Sequence, residues 1–233
     1  MFMIFKDWKI IYKKISKDLN FQEEKDKIAS EILNQLISKK NIFSIKKLKK
    51  ILTGKDVVIF GAGPSLESSL RVHKKKFAEM IKITADGATS ALLKNNIHPD
   101  IIVTDLDGKI SDQFKANSEG SIAIIHAHGD NIEYLKKYVP EFEGKIIGTT
   151  QIDSGSFKNL NNFGGFTDGD RAIFLADYFH AKKINLIGFD FDGKIGKFSF
   201  PEYKNKNQKL KKLKWCEYLV DLLKKDNPDI QEL

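Results

Sequence analysis

Apolar residues recur at three- and four-residue steps through the first part of the chain. Ile4, Phe5, Trp8, Ile11, Ile15 and Leu19 form one stripe; Ile28, Ala29, Ile32, Leu33, Leu36 and Ile37 form a second, with Lys and Glu between them. That period predicts amphipathic helices over residues 1–52, and Thr53-Gly54 marks their end. From Asp56 the pattern changes. Short β-branched runs appear at Val57–Phe60, Ile81–Thr84, Ile101–Thr104, Ile122–Ile125, Lys145–Gly148 and Ile184–Gly188. Helical stretches fall between them, near Ser65–Lys76, Ala88–Asn95, Asn131–Tyr138 and Asp168–His180. A last helix is expected from about Asn207 to Lys225, with Leu210, Leu213, Leu219, Leu222 and Leu223 at its apolar positions. Near-continuous apolar strands spaced by helices predict an α/β fold with a Rossmann-like, mostly parallel sheet covered on both faces. The expected division is an N-terminal helical subdomain over 1–54 and a Rossmann-like domain over 55–233, ending in the C-terminal helix.

Composition adds limits. A chain of 233 residues, 41% apolar and 30% charged, buries a full core without staples and is not generally disordered. One cysteine, Cys216, excludes an internal disulfide framework and a cysteine-built zinc site. It points to a reducing, cytoplasmic setting. No apolar run approaches the roughly 20 residues of a membrane span. The apolar start, Met1 to Phe5, stops at Lys6 and Asp7, so neither a signal peptide nor an anchor is expected. The net charge of +8 is uneven: residues 1–55 hold 14 lysines against 6 acids, and the remainder is neutral. Such a segment can bind nucleic acid or an anionic surface. A solvated lysine-rich helical face is the simpler reading, and nucleic acid is not expected as a partner.

In an open α/β sheet, ligands bind outside the carboxyl ends of the strands. Each predicted strand here is followed by chemistry. In order, these segments are Gly61-Ala-Gly-Pro64-Ser65, Asp86-Gly87, Asp105-Leu-Asp107-Gly108, His126-Ala-His128-Gly-Asp130-Asn131, Gly164-Gly-Phe-Thr167-Asp168-Gly-Asp170-Arg171, and Asp190-Phe-Asp192-Gly193. The opposite loops, Lys94–Pro99 and Glu141–Lys145, carry no such concentration.

In the first segment Gly61 and Gly63 permit close backbone approach, Pro64 suits a first helical turn, and Ser65 offers a hydroxyl, so a phosphate is the expected guest. A plain tight turn is the alternative. No Walker A sequence is present, and the third glycine of a dinucleotide fingerprint is Leu66. Asp86 does stand near where a ribose-binding acid would lie. Asp105 and Asp107 are two apart, so in extended chain they point the same way and can share Mg²⁺, with Asp86 or Asp130 joining them. A solvated turn or a cap is the alternative. His126 and His128 also alternate; they either hydrogen-bond phosphate or substrate, or serve the structure. Thr167 or Asp168 either caps a helix or contacts ligand. Arg171 is one of only two arginines, and its planar fork suits a phosphate or carboxylate. Phe163, Phe166, Phe189 and Phe191 either stack on a flat heterocycle or fill the core.

Taken together, Gly61-Ala-Gly-Pro-Ser-Leu-Glu67, Ala85-Asp-Gly-Ala-Thr89, Pro99-Asp-Ile-Ile-Val-Thr-Asp-Leu-Asp-Gly108, His126-Ala-His-Gly-Asp-Asn131, Gly165-Phe-Thr-Asp-Gly-Asp-Arg-Ala172 and Gly188-Phe-Asp190 resemble the archaeal 6-hydroxymethyl-7,8-dihydropterin pyrophosphokinase family. The match covers most of residues 1–225. Part of it is similar to the catalytic domain of thiamine pyrophosphokinase, at Asp86, Asp105, Asp107, Thr167 and Asp168. The resemblance implies Mg²⁺-dependent transfer of a diphosphoryl group from ATP to the pterin's hydroxymethyl group, with AMP released, in tetrahydromethanopterin- or folate-type pterin biosynthesis. Attack at the β-phosphorus makes catalysis mostly positioning and charge neutralisation. On this reading Asp105 and Asp107 hold Mg²⁺, assisted by Asp86 or Asp130. Gly61, Gly63, Pro64 and Ser65 cradle phosphate. Arg171 and a histidine, His126 or His128, pair phosphoryl oxygens. Thr167 lies beside the nucleotide, and Asp168 or Asp170 orients the pterin. A homodimer is an analogy with a related pyrophosphokinase class.

Three other readings stay open on the motifs. Asp105-Leu-Asp-Gly108 resembles the nucleophile segment of haloacid-dehalogenase-type phosphatases, though it closes the third strand and Lys109 follows it. The glycine-rich opening resembles some sugar-nucleotide-dependent glycosyltransferases. A basic adaptor for nucleic acid is the non-enzymatic case.

Overall fold

The computed structural model describes residues 5–199 and 206–233; Ile4 of the first stripe lies outside them. The sheet strands are β1 (Asp56–Phe60), β2 (Ile81–Ala85), β3 (Ile101–Thr104), β4 (Ile122–Ala127), β5 (Ile146–Thr150), β6 (Leu160–Asn161), β7 (Lys183–Ile187) and β8 (Ile230–Glu232). They form one eight-stranded sheet in the order β6-β5-β4-β3-β2-β1-β7-β8. Every pairing is parallel; Val57, for example, stands opposite both Ile81 and Ile184. The α/β fold with a parallel sheet is therefore as the pattern predicts. The chain runs outward from β1 to β6 and then returns to β7 beside β1. That reversal is a topological switch point, where such sheets open a crevice.

The helices are α1 (Phe5–Leu19), α2 (Glu23–Ile37), α3 (Ile45–Leu52), α4 (Leu66–His73), α5 (Ala88–Lys94), α6 (Ile110–Ser118), α7 (Ile132–Tyr138), α8 (Asp168–Tyr178) and α9 (Lys206–Asp226). Alternate strand residues face opposite layers. Val57, Ile59, Ile83 and Ile124 join α8, α9, α1 and α3 in one core, with Trp8, Leu48, Phe174 and Leu219 buried there. Ala123, Ile125 and Ile146 join α2 and α7 on the other side, through Ala29, Leu33, Ile37 and Leu135. Val58 and Phe60 pack against Leu66, Leu70 and Leu92 beneath α4 and α5. The N-terminal helices thus complete the cores on both faces of the sheet.

Three elements carry no pattern that predicts them. α6 reads ISDQFKANS and buries two amides, Gln113 and Asn117, beside Ala116, so its inward face mixes polar with apolar positions and shows no clean stripe. β6 and β8 span two and three residues, too short for a period to register.

Candidate active site

The carboxyl ends of the central strands open into a pocket of about 360 Å³, bounded also by the start of α8 and by Lys209, Lys212 and Leu213 of α9. At its centre, oxygen atoms of Asp86, Asp105 and Asp168 lie within 4.8 Å of one another. Each is placed by a separate piece of chain.

Asp86 directly follows β2 in a left-handed conformation, φ 41°. Its Oδ1 accepts from Thr104 Oγ1 at 2.9 Å and from Gln113 Nε2 at 2.8 Å. A Cβ at Gly108 would lie 2.4 Å from its Oδ2, so glycine there is a condition of the carboxylate's position. Asp105 follows β3, and its Oδ2 lies 3.2 Å from His128 Nε2. The next residue, Leu106, is left-handed at φ 71° with its side chain buried. A non-glycine residue in that region is strained, and such strain gathers at functional turns. The backbone N–H of Leu106 donates to Thr104 Oγ1 at 2.9 Å. Asn131 Nδ2 donates to the carbonyls of Asp105 and His126 at 2.9 and 2.7 Å, tying the third and fourth strand ends together.

Asp168 opens α8, and Arg171 Nη1 contacts its Oδ1 at 3.1 Å. Burial first, and the Asp105 carboxylate second, push the Asp168 acid well above its ordinary range; Arg171 pulls the other way. Three carboxylates this close, Asp86 buried and the other two half-buried, form a donor set that a hard divalent cation suits, with oxygen ligands only.

Asp107 and Asp130 line the same pocket but lie outside this cluster. The extended-chain alternation expected of Asp105 and Asp107 does not apply, because β3 stops at Thr104 and Leu106 turns left-handed. Thr167 is the cap residue of α8, and Asp170 is turned to it: Asp170 accepts from the Thr167 hydroxyl and N–H and from the Phe166 N–H. Asp170 is fully buried and not among the pocket residues, while Thr167 also lines the pocket.

The two histidine rings stand 6.3 Å apart, as alternation on one side requires, but only His128 reaches the pocket. His126 is buried, with Nδ1 3.0 Å from Thr149 Oγ1. Burial above all, then Arg171 and His128, hold its pKa well below 6.5, so it is neutral at physiological pH.

Gly61 and Gly63 line the pocket where β1 meets β7. A Cβ on Gly61 would meet Gly188 O at 2.6 Å, and one on Gly63 would meet Asp190 Oδ2 at 2.1 Å. Asp190 Oδ2 accepts from the Ser65 N–H at 3.0 Å and from its hydroxyl at 2.8 Å. Of the donors expected to cradle phosphate, those of Ser65 are engaged by Asp190, and the Gly61 and Gly63 N–H groups donate to the carbonyls of Ile187 and Gly188. Pro64 and Ser65 are not among the pocket-lining residues, and the glycines serve the close crossing of the segment after β7.

Phe166, Phe189 and Phe191 line the pocket; Phe163 instead packs on Tyr178 and Phe179. Several pocket residues had no motif to betray them. Phe21 lies 6.0 Å from Phe166, and Gln151 Oε1 accepts from Arg171 Nη2 at 3.2 Å. Lys209 and Lys212 are three apart on α9, a spacing that alone reads as a solvated face.

The fold and this centre define a class: a doubly wound α/β protein with a carboxylate-lined ligand pocket at its strand ends. Within that class the chain belongs to the 6-hydroxymethylpterin diphosphokinase MptE-like family, whose model matches residues 31–196. It is 44% identical over 233 residues to a 6-hydroxymethyl-7,8-dihydropterin pyrophosphokinase of Methanocaldococcus jannaschii, covering 95% of this chain and 96% of that one. Proteins of the same name from Pyrococcus furiosus and Methanothermobacter thermautotrophicus are 42% and 39% identical, each match spanning at least 95% of both chains.

Proposed function

We propose that this protein transfers a diphosphoryl group from ATP to the hydroxymethyl oxygen of 6-hydroxymethyl-7,8-dihydropterin, with Mg²⁺, releasing AMP. The name of its relatives, 6-hydroxymethyl-7,8-dihydropterin pyrophosphokinase, supports the acceptor and the pyrophosphoryl transfer. The observation that carries it to this chain is the Asp86–Asp105–Asp168 cluster in the pocket at the strand ends. Asp86, Asp105 and Asp168 would hold the cation. When bound, Mg²⁺ would draw charge from the phosphoryl oxygens and align the donor phosphates.

The chain's own residues supply the rest. Arg171 keeps Asp168 aimed and offers its remaining donors at the pocket wall. His128 orients Asp105. Lys209 and Lys212 line the same pocket and would bring it the positive charge a polyphosphate needs. Two aromatic pairs in the pocket lining, Phe189 with Phe191 and Phe21 with Phe166, would give flat rings an apolar wall. One chain supplies the carboxylates, so the reading draws on no second subunit.

The test is to incubate the protein with ATP, Mg²⁺ and the pterin and to separate the products. AMP formed one-for-one with a pterin diphosphate, and abolished by a chelator, is the expected result. ADP or free phosphate instead would replace this reading with a kinase or phosphatase.

A further inference from the structure

The N-terminal helices reach the carboxylate cluster through a buried line of hydrogen bonds. Arg171, which holds Asp168 through Nη1, donates from Nη2 to Gln151 Oε1 at 3.2 Å. Gln151 Nε2 donates to Tyr12 Oη at 2.8 Å. Tyr12 in turn donates to Asp26 Oδ2. Each link has a fixed sense. Guanidinium only donates, so Gln151 presents its oxygen to Arg171 and its nitrogen to Tyr12; the tyrosine proton is then left for the carboxylate. Trp8 Nε1 donates to the Gln151 carbonyl at 2.8 Å and fixes the backbone of the same residue.

Asp26 has a second arm. Its Oδ1 accepts from the Gly129 N–H at 2.8 Å. Gly129 directly follows His128, whose ring contacts Asp105. A Cβ on Gly129 would lie 2.6 Å from the Lys25 Cβ, so the loop can sit against α2 only with glycine there. One carboxylate on α2 therefore lies behind two of the three cluster acids, through two separate lines of contact. Tyr12, Asp26, Gln151 and Arg171 are all buried.

We infer that Tyr12 and Asp26 are positioning residues for the carboxylate cluster, setting Asp168 through Gln151 and Arg171 and Asp105 through the His128–Gly129 loop. Neither lines the main pocket, so neither touches a substrate held there. Apolar residues would fill this interface between α1, α2 and the sheet at no polar desolvation cost; the polar line is kept where it ends on the site. The inference rests on the proposed cation site and gives the N-terminal helices a role in it.

The test is Tyr12→Phe in the full chain, which removes one hydroxyl and keeps the ring that stacks on Trp8 at 5.9 Å. Mn²⁺ affinity by spin resonance, kcat and KM for the pterin, and Tm are measured together, with Leu48→Val as a core control outside the hydrogen-bonded line. Removing such outer partners weakens metal binding or turnover by about tenfold or more. The expected result is that weakening in Mn²⁺ affinity and kcat, an unchanged pterin KM, and an unchanged Mn²⁺ affinity in Leu48→Val. Should Tyr12→Phe not fold, Asp26→Asn carries the same readouts. Wild-type Mn²⁺ affinity and kcat in the variant would overturn the inference, as would losses that merely follow Tm in both variants. A wild-type protein that binds no Mn²⁺ overturns the cation site and this inference with it.

Discussion

Asp190 and Ser65 are joined twice, the Oδ2 of the aspartate accepting from both the backbone N–H and the hydroxyl of the serine. Two donors that a glycine-rich turn would offer to a phosphate are thus turned to a carboxylate from the end of β7. The turn acts as a fastening between β1 and β7 at the switch point.

Ser65→Ala therefore affects stability more than nucleotide binding. Loss of one such hydrogen bond to a charged acceptor costs about 1.5–3 kcal/mol. Tm is expected to fall by several degrees while KM for ATP stays within about threefold. Thermal melts and steady-state kinetics on one preparation check this. A large rise in KM with an unchanged Tm would restore the phosphate-cradle reading.

The cluster ranks its acids. Asp105→Asn removes a member of the triad and lowers kcat by about 10³ or more, the scale of losing a preorganised electrostatic contact. It leaves Tm unchanged or raised, because the Asp105 charge is among the causes that push Asp168 up. Asp107→Asn, at the pocket wall, loses less. Equal losses in the two variants would show that Asp107 belongs to the cluster.

Gly108→Ala acts on Asp86. The added methyl would sit 2.4 Å from Asp86 Oδ2, whose partner oxygen is held by Thr104 and Gln113. The carboxylate must shift, so Mg²⁺ affinity is expected to fall by about tenfold with a small change in Tm. Isothermal titration with Mg²⁺ and ATP measures it, and wild-type affinity would contradict it.

Burial raises the Asp168 acid, which fixes the sign of a pH effect. Stability from a raised acid is complete below its unfolded value, near 3.8, and is lost as pH rises through its folded value. A bound cation favours the ionised form and removes that loss. Mg²⁺ is therefore expected to raise Tm more at about pH 8 than at about pH 5. Melts with and without Mg²⁺ at both values decide it; an equal or larger shift at the acid value is the contrary outcome.

Much of this was legible in the sequence, for physical reasons. Fully buried parallel strands such as Val57–Phe60 and Ile122–Ile125 are continuous apolar runs, and ligand groups follow them directly. Asp86, Asp105, Asp168 and Arg171 were therefore nameable as pocket residues. What lay hidden depends on contacts between distant segments. Nothing local marks Gln151, whose partners Tyr12 and Arg171 lie 139 and 20 residues away. The Ser65–Asp190 pair spans 125 residues and reverses the meaning of a local motif. Alternation does not pair Asp105 with Asp107, because Asp107 lies three residues past the end of β3 and beyond a left-handed turn at Leu106.

The central claim is attack at the β-phosphorus of a nucleotide held at the Asp86–Asp105–Asp168 cluster. The most direct measurement follows ATP labelled at the β-phosphorus, with the pterin and Mg²⁺. The label is expected to leave the nucleotide and appear in the pterin diphosphate, with unlabelled AMP formed in equal amount and transfer slowed about 10³-fold or more in Asp105→Asn. Label retained in ADP, or transfer undiminished in Asp105→Asn, would contradict it.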